Sequence, residues 1–389
     1  MFLFFIIVLL TCVLIFLGCF RQKDISHDFA EVSEGVLIDP LFELAFEIVS
    51  SLDDSILAAQ VIISGIDGRG ALPGYFKPFL EDVPAGGVML FRYNLDTPNN
   101  AIHSLISETV ALINEVSGIS PFVAVDHEGG SVNRFNRGVA DLHPASYYWE
   151  YFENEGKEAA LEKIEKDSLK AAAAINNFGV NLNFAPIAEF LTDDNRVFLK
   201  SRSYGPDPLF TAEASHAFIR GMESAGVLCV VKHFPGSAGS DPHYSLSVID
   251  KDREALEELT FPFKYLIKKN SARAIMAAHS LVPVMDDKIA SLSSVIMQNW
   301  LRDDLGFSGI IISDDFFMAA AGNIKPETAA VQSVAAGADM ILVWPRDLRN
   351  THKALLSALE TGELSRERLT EAVTRIIYEK LRMGIYMSL

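Results

Sequence analysis

The sequence predicts an α/β fold, a single (β/α)8 barrel of the TIM type behind an N-terminal hydrophobic leader, and three features predict it. Beyond residue 58, short apolar runs alternate regularly with longer amphipathic stretches. Eight such runs are present, each almost unbroken in apolar character, as parallel strands covered on both faces require. Finally, no Pro/Gly/Ser-rich linker, low-complexity segment or charge block interrupts the series.

Residues 1–20 are almost wholly apolar and uncharged, and charges begin at Arg21, Lys23 and Asp24. A run of that length either spans a membrane or forms the core of an export signal. It ends Phe16-Leu17-Gly18-Cys19, which resembles a relaxed lipobox with Cys19 as the lipidated residue; an uncleaved membrane helix is the alternative. Both readings attach the body of the protein to a membrane, outside the cytoplasm. The expected segments are a leader or anchor at 1–19, a linker at 20–45 and the barrel at 46–389. Within the barrel the expected strands are 58–64, 87–91, 122–125, 180–185, 227–231, 274–278, 309–312 and 340–343. Helical stretches are expected at 162–178, 208–225, 253–269, 291–305 and 326–336, with two more at 348–359 and 366–383. Gly226 and Gly337 stand where a helix closes just before a strand. A doubly wound sheet has similar alternation and is the structural competitor.

Of the 389 residues 49% are hydrophobic, enough for one large core. The net charge of -18, from 51 acidic and 33 basic residues, argues against nucleic acid as a partner, because such a surface releases no counterions from phosphate. Cys12 and Cys19 lie in the leader, so only Cys229 belongs to the body. No internal disulfide is then available, the core must carry stability, and Cys229 reads as a small core residue. No residue cluster has metal-site spacing, and neither metal nor cofactor is expected.

In barrels of this kind chemistry is built at the carboxyl ends of the strands. Those ends carry Asp126-His127-Glu128 after the third strand, Lys232-His233 after the fifth, His279 after the sixth and Ser313-Asp314-Asp315 after the seventh. That placement points to an enzyme. Lys232 and His233 can donate to sugar hydroxyls, and the Gly/Ser/Pro-rich stretch after them reads as a loop. At its far end Asp241 and His243 are one residue apart; a carboxylate near an imidazole fixes its tautomer and raises its pKa. Read alone, Asp-Pro-His is equally a solvated loop. Asp314 is placed to attack an anomeric carbon, or to cap a helix or bind metal with Asp315. Asp126 can accept from two adjacent hydroxyls and Arg134 brings a planar set of donors, while a salt-bridged loop is the plainer reading of that segment. His127 and Glu128 are expected to brace the loop. His279 is either a pocket-wall histidine or a satisfied core one.

Three segments, Asp126-His127-Glu128-Gly129-Gly130 with Arg134, Lys232-His233-Phe234-Pro235-Gly236 leading to Asp241-Pro242-His243, and Ser313-Asp314-Asp315, together resemble glycoside hydrolase family 3 in its β-N-acetylglucosaminidase branch. The resemblance extends from about Ala58 to the C-terminus. It implies Asp314 as nucleophile, His243 as acid/base and Asp241 as its polarising partner. It further implies Asp126, Arg134, Lys232 and His233 around the terminal sugar, Arg202 from Arg202-Ser203-Tyr204-Gly205, and His279 as a family-like residue. The substrate implied is a carbohydrate ending in β-linked N-acetylglucosamine, cleaved with retention.

Three departures accompany the resemblance. The loop bearing Asp241 and His243 is short, with Ser237-Ala238 where His-Gly is common. Pro242 replaces Ser or Thr, fixing φ and removing an N–H. Glu189 stands where an Asp is common. Competing readings are a substrate-assisted hexosaminidase using Asp314-Asp315, a β-glucosidase, a phosphorylase, and a sugar-binding protein without turnover.

Overall fold

The computed structural model describes residues 39–135, 138–239, 244–316 and 324–386. The leader, Cys19 and nearly all of the expected linker lie outside these residues, as do Asp241 and His243. Residues 41–389 form one compact unit. Its centre is a parallel sheet of eight strands: β1 (Ile62–Gly65), β2 (Gly87–Leu90), β3 (Phe122–Val125), β4 (Leu182–Asn183), β5 (Leu228–Phe234), β6 (Ala274–Ala277), β7 (Ile310–Ser313) and β8 (Ile341–Val343). They pair in the order β7-β6-β5-β4-β3-β2-β1-β8. A parallel bridge from Ile312 to Met340 joins the two ends of that series. The circuit is a nearly closed barrel rather than a doubly wound sheet, whose strand order would reverse at a switch point. Every barrel strand is buried along its whole length, as its apolar run requires.

Several boundaries differ from expectation for identifiable reasons. Residues 58–61 are not strand, because Asp53 caps a helix over Asp54–Gln60 by accepting from the Ile56 N–H. β4 is only two residues long because side-chain amides take over part of its ladder. Asn181 Oδ1 accepts from Val123 N at 2.8 Å, and the Asn183 amide bonds both the N–H and the C=O of His127 at 2.9 Å. β5 runs longer than expected and includes Lys232 and His233. The helical stretch 253–269 is split into Arg253–Leu259 and Phe261–Lys268, with Pro262 starting the second piece where its missing N–H does no harm. Over Val295–Asp304 the expected helix is wound with π-type hydrogen bonds. A helix over Pro40–Ser50 occupies the end of the segment expected as linker. Gly226 and Gly337 do adopt positive φ, +78° and +123°.

Ion pairs close the amino-terminal floor of the barrel. Asp339, just before β8, is fully buried and receives Arg302, Arg368 and Arg375 together with the Ile311 N–H. Arg368, Arg375, Glu379 and Lys380 all come from the helix Arg366–Arg382. Glu379 pairs with Arg273, while the fully buried Lys380 has Gln60 Oε1 at 2.9 Å and the Phe122 ring at 5.2 Å. Among the described residues no helix is long and apolar enough to cross a membrane.

Candidate active site

At the opposite end, the carboxyl ends of the strands surround a cavity of about 310 Å³. Its polar wall comes from β5 and the segments following β3, β4 and β7; its aromatic wall includes Phe91 after β2 and Trp344 after β8. Asp126, directly after β3, accepts from Lys232 Nζ at 2.8 Å and from Arg134 Nη2 at 3.4 Å. Glu128 accepts from the same Lys232 at 2.7 Å and takes the Arg202 fork through Nε at 2.8 Å and Nη2 at 2.9 Å. Such two-point pairing fixes the planes of both groups.

Lys232 is therefore shared between two carboxylates. Burial opposes its charge, but Asp126 and Glu128 raise its pKa above the ordinary lysine value. Burial likewise pushes the Asp126 and Glu128 carboxyls up, and the attraction of Lys232 with Arg134 or Arg202 more than reverses this, leaving both below the usual range. Asp126, Glu128 and Lys232 are thus ionised near neutral pH and paired with one another. His233 is held by Glu189: its backbone N–H and ring Nδ1 lie 3.2 and 2.7 Å from Glu189 Oε1. Glu189 Oε2 accepts from Ser237 Oγ at 2.5 Å. Asp314 leaves β7 into the cavity, with its N–H on the Ala277 carbonyl at 3.2 Å and its Oδ1 accepting the Asp315 N–H at 2.8 Å.

An acidic side chain at a strand end, facing fixed hydrogen-bond donors and acceptors for a polyol, suits glycoside chemistry. The sequence profile described as the glycosyl hydrolase family 3 N terminal domain matches residues 75–378. The chain belongs to glycoside hydrolase family 3. A β-hexosaminidase of Methylococcus capsulatus is 36% identical over 296 residues, covering 74% of this chain and 82% of that protein. The family 3 β-N-acetylglucosaminidase of Paenibacillus sp. str. FPU-7 superposes with a TM-score of 0.80 at 28% identity, over 86% of this chain and 63% of that longer one. NagZ of Neisseria gonorrhoeae, solved with N-trifluoroacetyl-D-glucosamine, gives a TM-score of 0.68 at 26% identity, over 82% of this chain and 97% of its own.

In this family 3 chain the structure brings Asp126, Arg134, Arg202, Lys232, His233 and Asp314 to one cavity. His279 is placed otherwise. It is 1% exposed, with Nδ1 at 2.7 Å from Ser291 Oγ and Nε2 at 3.0 Å from the Asp315 carbonyl. Both nitrogens are taken by protein groups, so the residue underpins the Asp314-Asp315 turn instead of contacting sugar. Burial lowers its pKa, in keeping with a neutral ring. His127 braces its loop through Nε2 and the Ala140 carbonyl at 2.8 Å, and burial holds its pKa down at about 4. Glu128, expected beside it as a brace, instead lines the cavity and carries two cations. Glu189, Phe91 and Trp344 were not singled out as site residues by sequence reasoning. Trp344 was open to discovery, since it follows β8 directly, where the strand-end rule already looks.

Toward Asp241 and His243, which lie outside the described residues, the chain is tied at Ser237 and Ala238. Besides the Ser237–Glu189 bond, Ser247 Oγ accepts from Ala238 N at 3.0 Å and donates to the Ala238 carbonyl at 2.9 Å.

Proposed function

We propose that this family 3 glycoside hydrolase is a retaining exo-β-N-acetylglucosaminidase, with Asp314 as nucleophile, His243 as acid/base and Asp241 as the partner of His243. The observation that carries the reading is that Asp314 enters the cavity lined by Asp126, Arg134, Lys232 and His233. The names of its relatives, β-hexosaminidase and β-N-acetylglucosaminidase, support the acetamido sugar as substrate.

In the first step an Asp314 carboxylate oxygen bonds to the anomeric carbon as the bond to the leaving oxygen breaks, and that oxygen takes its proton from His243. In the second, neutral His243 removes a proton from water, which displaces Asp314 and releases the sugar in the β configuration. Lys232, Asp126, Arg134 and His233 hold the ring hydroxyls, and ionised Glu128 keeps Lys232 and Arg202 in place. The test is product analysis on a β-N-acetylglucosaminide with and without phosphate, alongside fluorosugar trapping. Free N-acetylglucosamine and a label on Asp314 are expected. Sugar 1-phosphate as the product would move the reaction to phosphorolysis, and turnover without a label would remove the covalent step.

The same proposal includes one barrel tethered outside the cytoplasm by residues 1–19 through the linker. The charge-free run and Phe16-Leu17-Gly18-Cys19 support it. Labelled fatty acid should be incorporated by the wild type and lost in Cys19→Ser; an unlabelled protein still in the membrane fraction would favour the uncleaved helix.

A further inference from the structure

Asp315, the residue after Asp314, is held at three points: its N–H, its carbonyl and its side chain. Its N–H donates to Asp314 Oδ1 at 2.8 Å. The Asp315 carbonyl accepts from His279 Nε2 at 3.0 Å, and since a carbonyl can only accept, Nε2 carries the hydrogen. In the neutral ring Nδ1 then accepts from Ser291 Oγ, which fixes the imidazole. The third grip is the Asp315 side chain, whose Oδ2 accepts the indole N–H of Trp344 at 2.7 Å. Trp344 cannot swing freely, because one face lies against Phe91 with centroids 5.0 Å apart and planes 15° apart. Phe91 is backed in turn by Tyr93, 5.7 Å away and at the same 15°. A three-ring stack from the β2 side thus ends in a hydrogen bond to the residue that orients Asp314.

We propose that Trp344 is a positioning residue: through Asp315 it sets the rotamer of the Asp314 carboxylate, holding Oδ1 on the Asp315 N–H and leaving Oδ2 to face the anomeric carbon. This rests on the nucleophile assignment made above. Trp344 also lines the cavity, so it has two separable duties, one through its N–H and one through its ring. Loss of a wall weakens binding, whereas loss of positioning slows the attack without weakening binding.

The variants Trp344→Phe, Asp315→Ala, Asp315→Asn and Trp344→Phe/Asp315→Ala separate these duties. Phenylalanine keeps a ring against Phe91 but removes the donor together with part of the cavity wall, whereas Asp315→Ala removes the bond and leaves the indole wall in place; asparagine keeps an acceptor for the indole. On an aryl β-N-acetylglucosaminide, Trp344→Phe and Asp315→Ala should each lower kcat about 10- to 100-fold, with KM little changed in Asp315→Ala. Fluorosugar labelling of Asp314 should slow in parallel. Asp315→Asn should keep most of the rate, and the double variant should be no slower than Asp315→Ala, since one bond is cut from either end. Wild-type kcat in a folded Trp344→Phe overturns the proposal, as does a loss confined to KM or losses that multiply in the double variant. Should Trp344→Phe melt below the assay temperature, Asp315→Ala reads the same bond from its other end. An inactive wild type overturns both this proposal and the nucleophile assignment; an active wild type with indifferent variants overturns this one alone.

Discussion

Glu189 holds His233 twice through one oxygen: Oε1 lies 3.2 Å from the backbone N–H and 2.7 Å from ring Nδ1. A carboxylate only accepts, so Nδ1 carries the hydrogen and Nε2 is left for the cavity. The other oxygen takes Ser237, which precedes Asp241 and His243 in the chain. Glu189 and Ser237, two of the departures noted in the sequence, therefore touch each other.

Glu189→Gln keeps its one acceptor oxygen on His233 and turns its amide N–H₂ to Ser237, whose hydroxyl then accepts instead of donating. Both bonds lose their charge-assisted strength, a loss of about 1 kcal/mol or more. Lower stability in chemical denaturation and a raised KM are expected together, and unchanged values of both would refute the coupling.

Asp314→Ala should abolish turnover of every substrate. His243→Ala should lower kcat/KM on a natural disaccharide by about 10²–10⁴-fold, with a much smaller loss in the first step when the leaving group is an activated phenol. Equal losses on both substrates would remove His243 from proton transfer.

Asp126, Glu128 and Glu189 all have carboxyl pKa values held below the ordinary range, each with burial opposing and charged or hydrogen-bonding neighbours prevailing. The unfolded chain then binds protons first as pH falls, so their stabilisation is complete above about pH 4–5 and drains away below it. Glu128→Gln leaves Lys232 and Arg202 facing a neutral amide in a buried site, at a cost of about 3–5 kcal/mol near neutral pH. Denaturation curves from pH 7 to pH 3 should show the variant losing less on acidification than the wild type.

Lys380 behaves in the opposite sense. Burial lowers its pKa to about 7, and the neighbours named for its ammonium are the amide oxygen of Gln60 and the Phe122 ring. The unfolded chain binds that proton more tightly, so the penalty is full below pH 7 and shrinks as pH rises toward the ordinary lysine value. Lys380→Met should melt above the wild type at pH 6, with the gap narrowing by pH 9. A gap independent of pH would show that the lysine is charged in the folded protein.

What could be read from the sequence was whatever depends on local pattern. Apolar runs located all eight strands, and strand-end polarity located Asp126, Lys232 and Asp314. The misses share a cause: side chains acting across the fold leave no local period. Asn181 and Asn183 shorten β4 by replacing backbone partners from β3 and its continuation. Glu128 looked like a loop brace because Arg202, 74 residues away, is what turns it toward the cavity. His279 follows a strand like the true lining residues, and only Ser291 and the Asp315 carbonyl show that its ring is already engaged.

The ion-paired floor has a consequence for biosynthesis. A nascent chain whose emerged part ends before Arg366 has Arg302 for Asp339 but neither Arg368 nor Arg375, and it lacks Glu379 for Arg273. The charges around Asp339 and Arg273 are therefore balanced only once the last helix has been added, so the floor is the final part of the barrel to be neutralised.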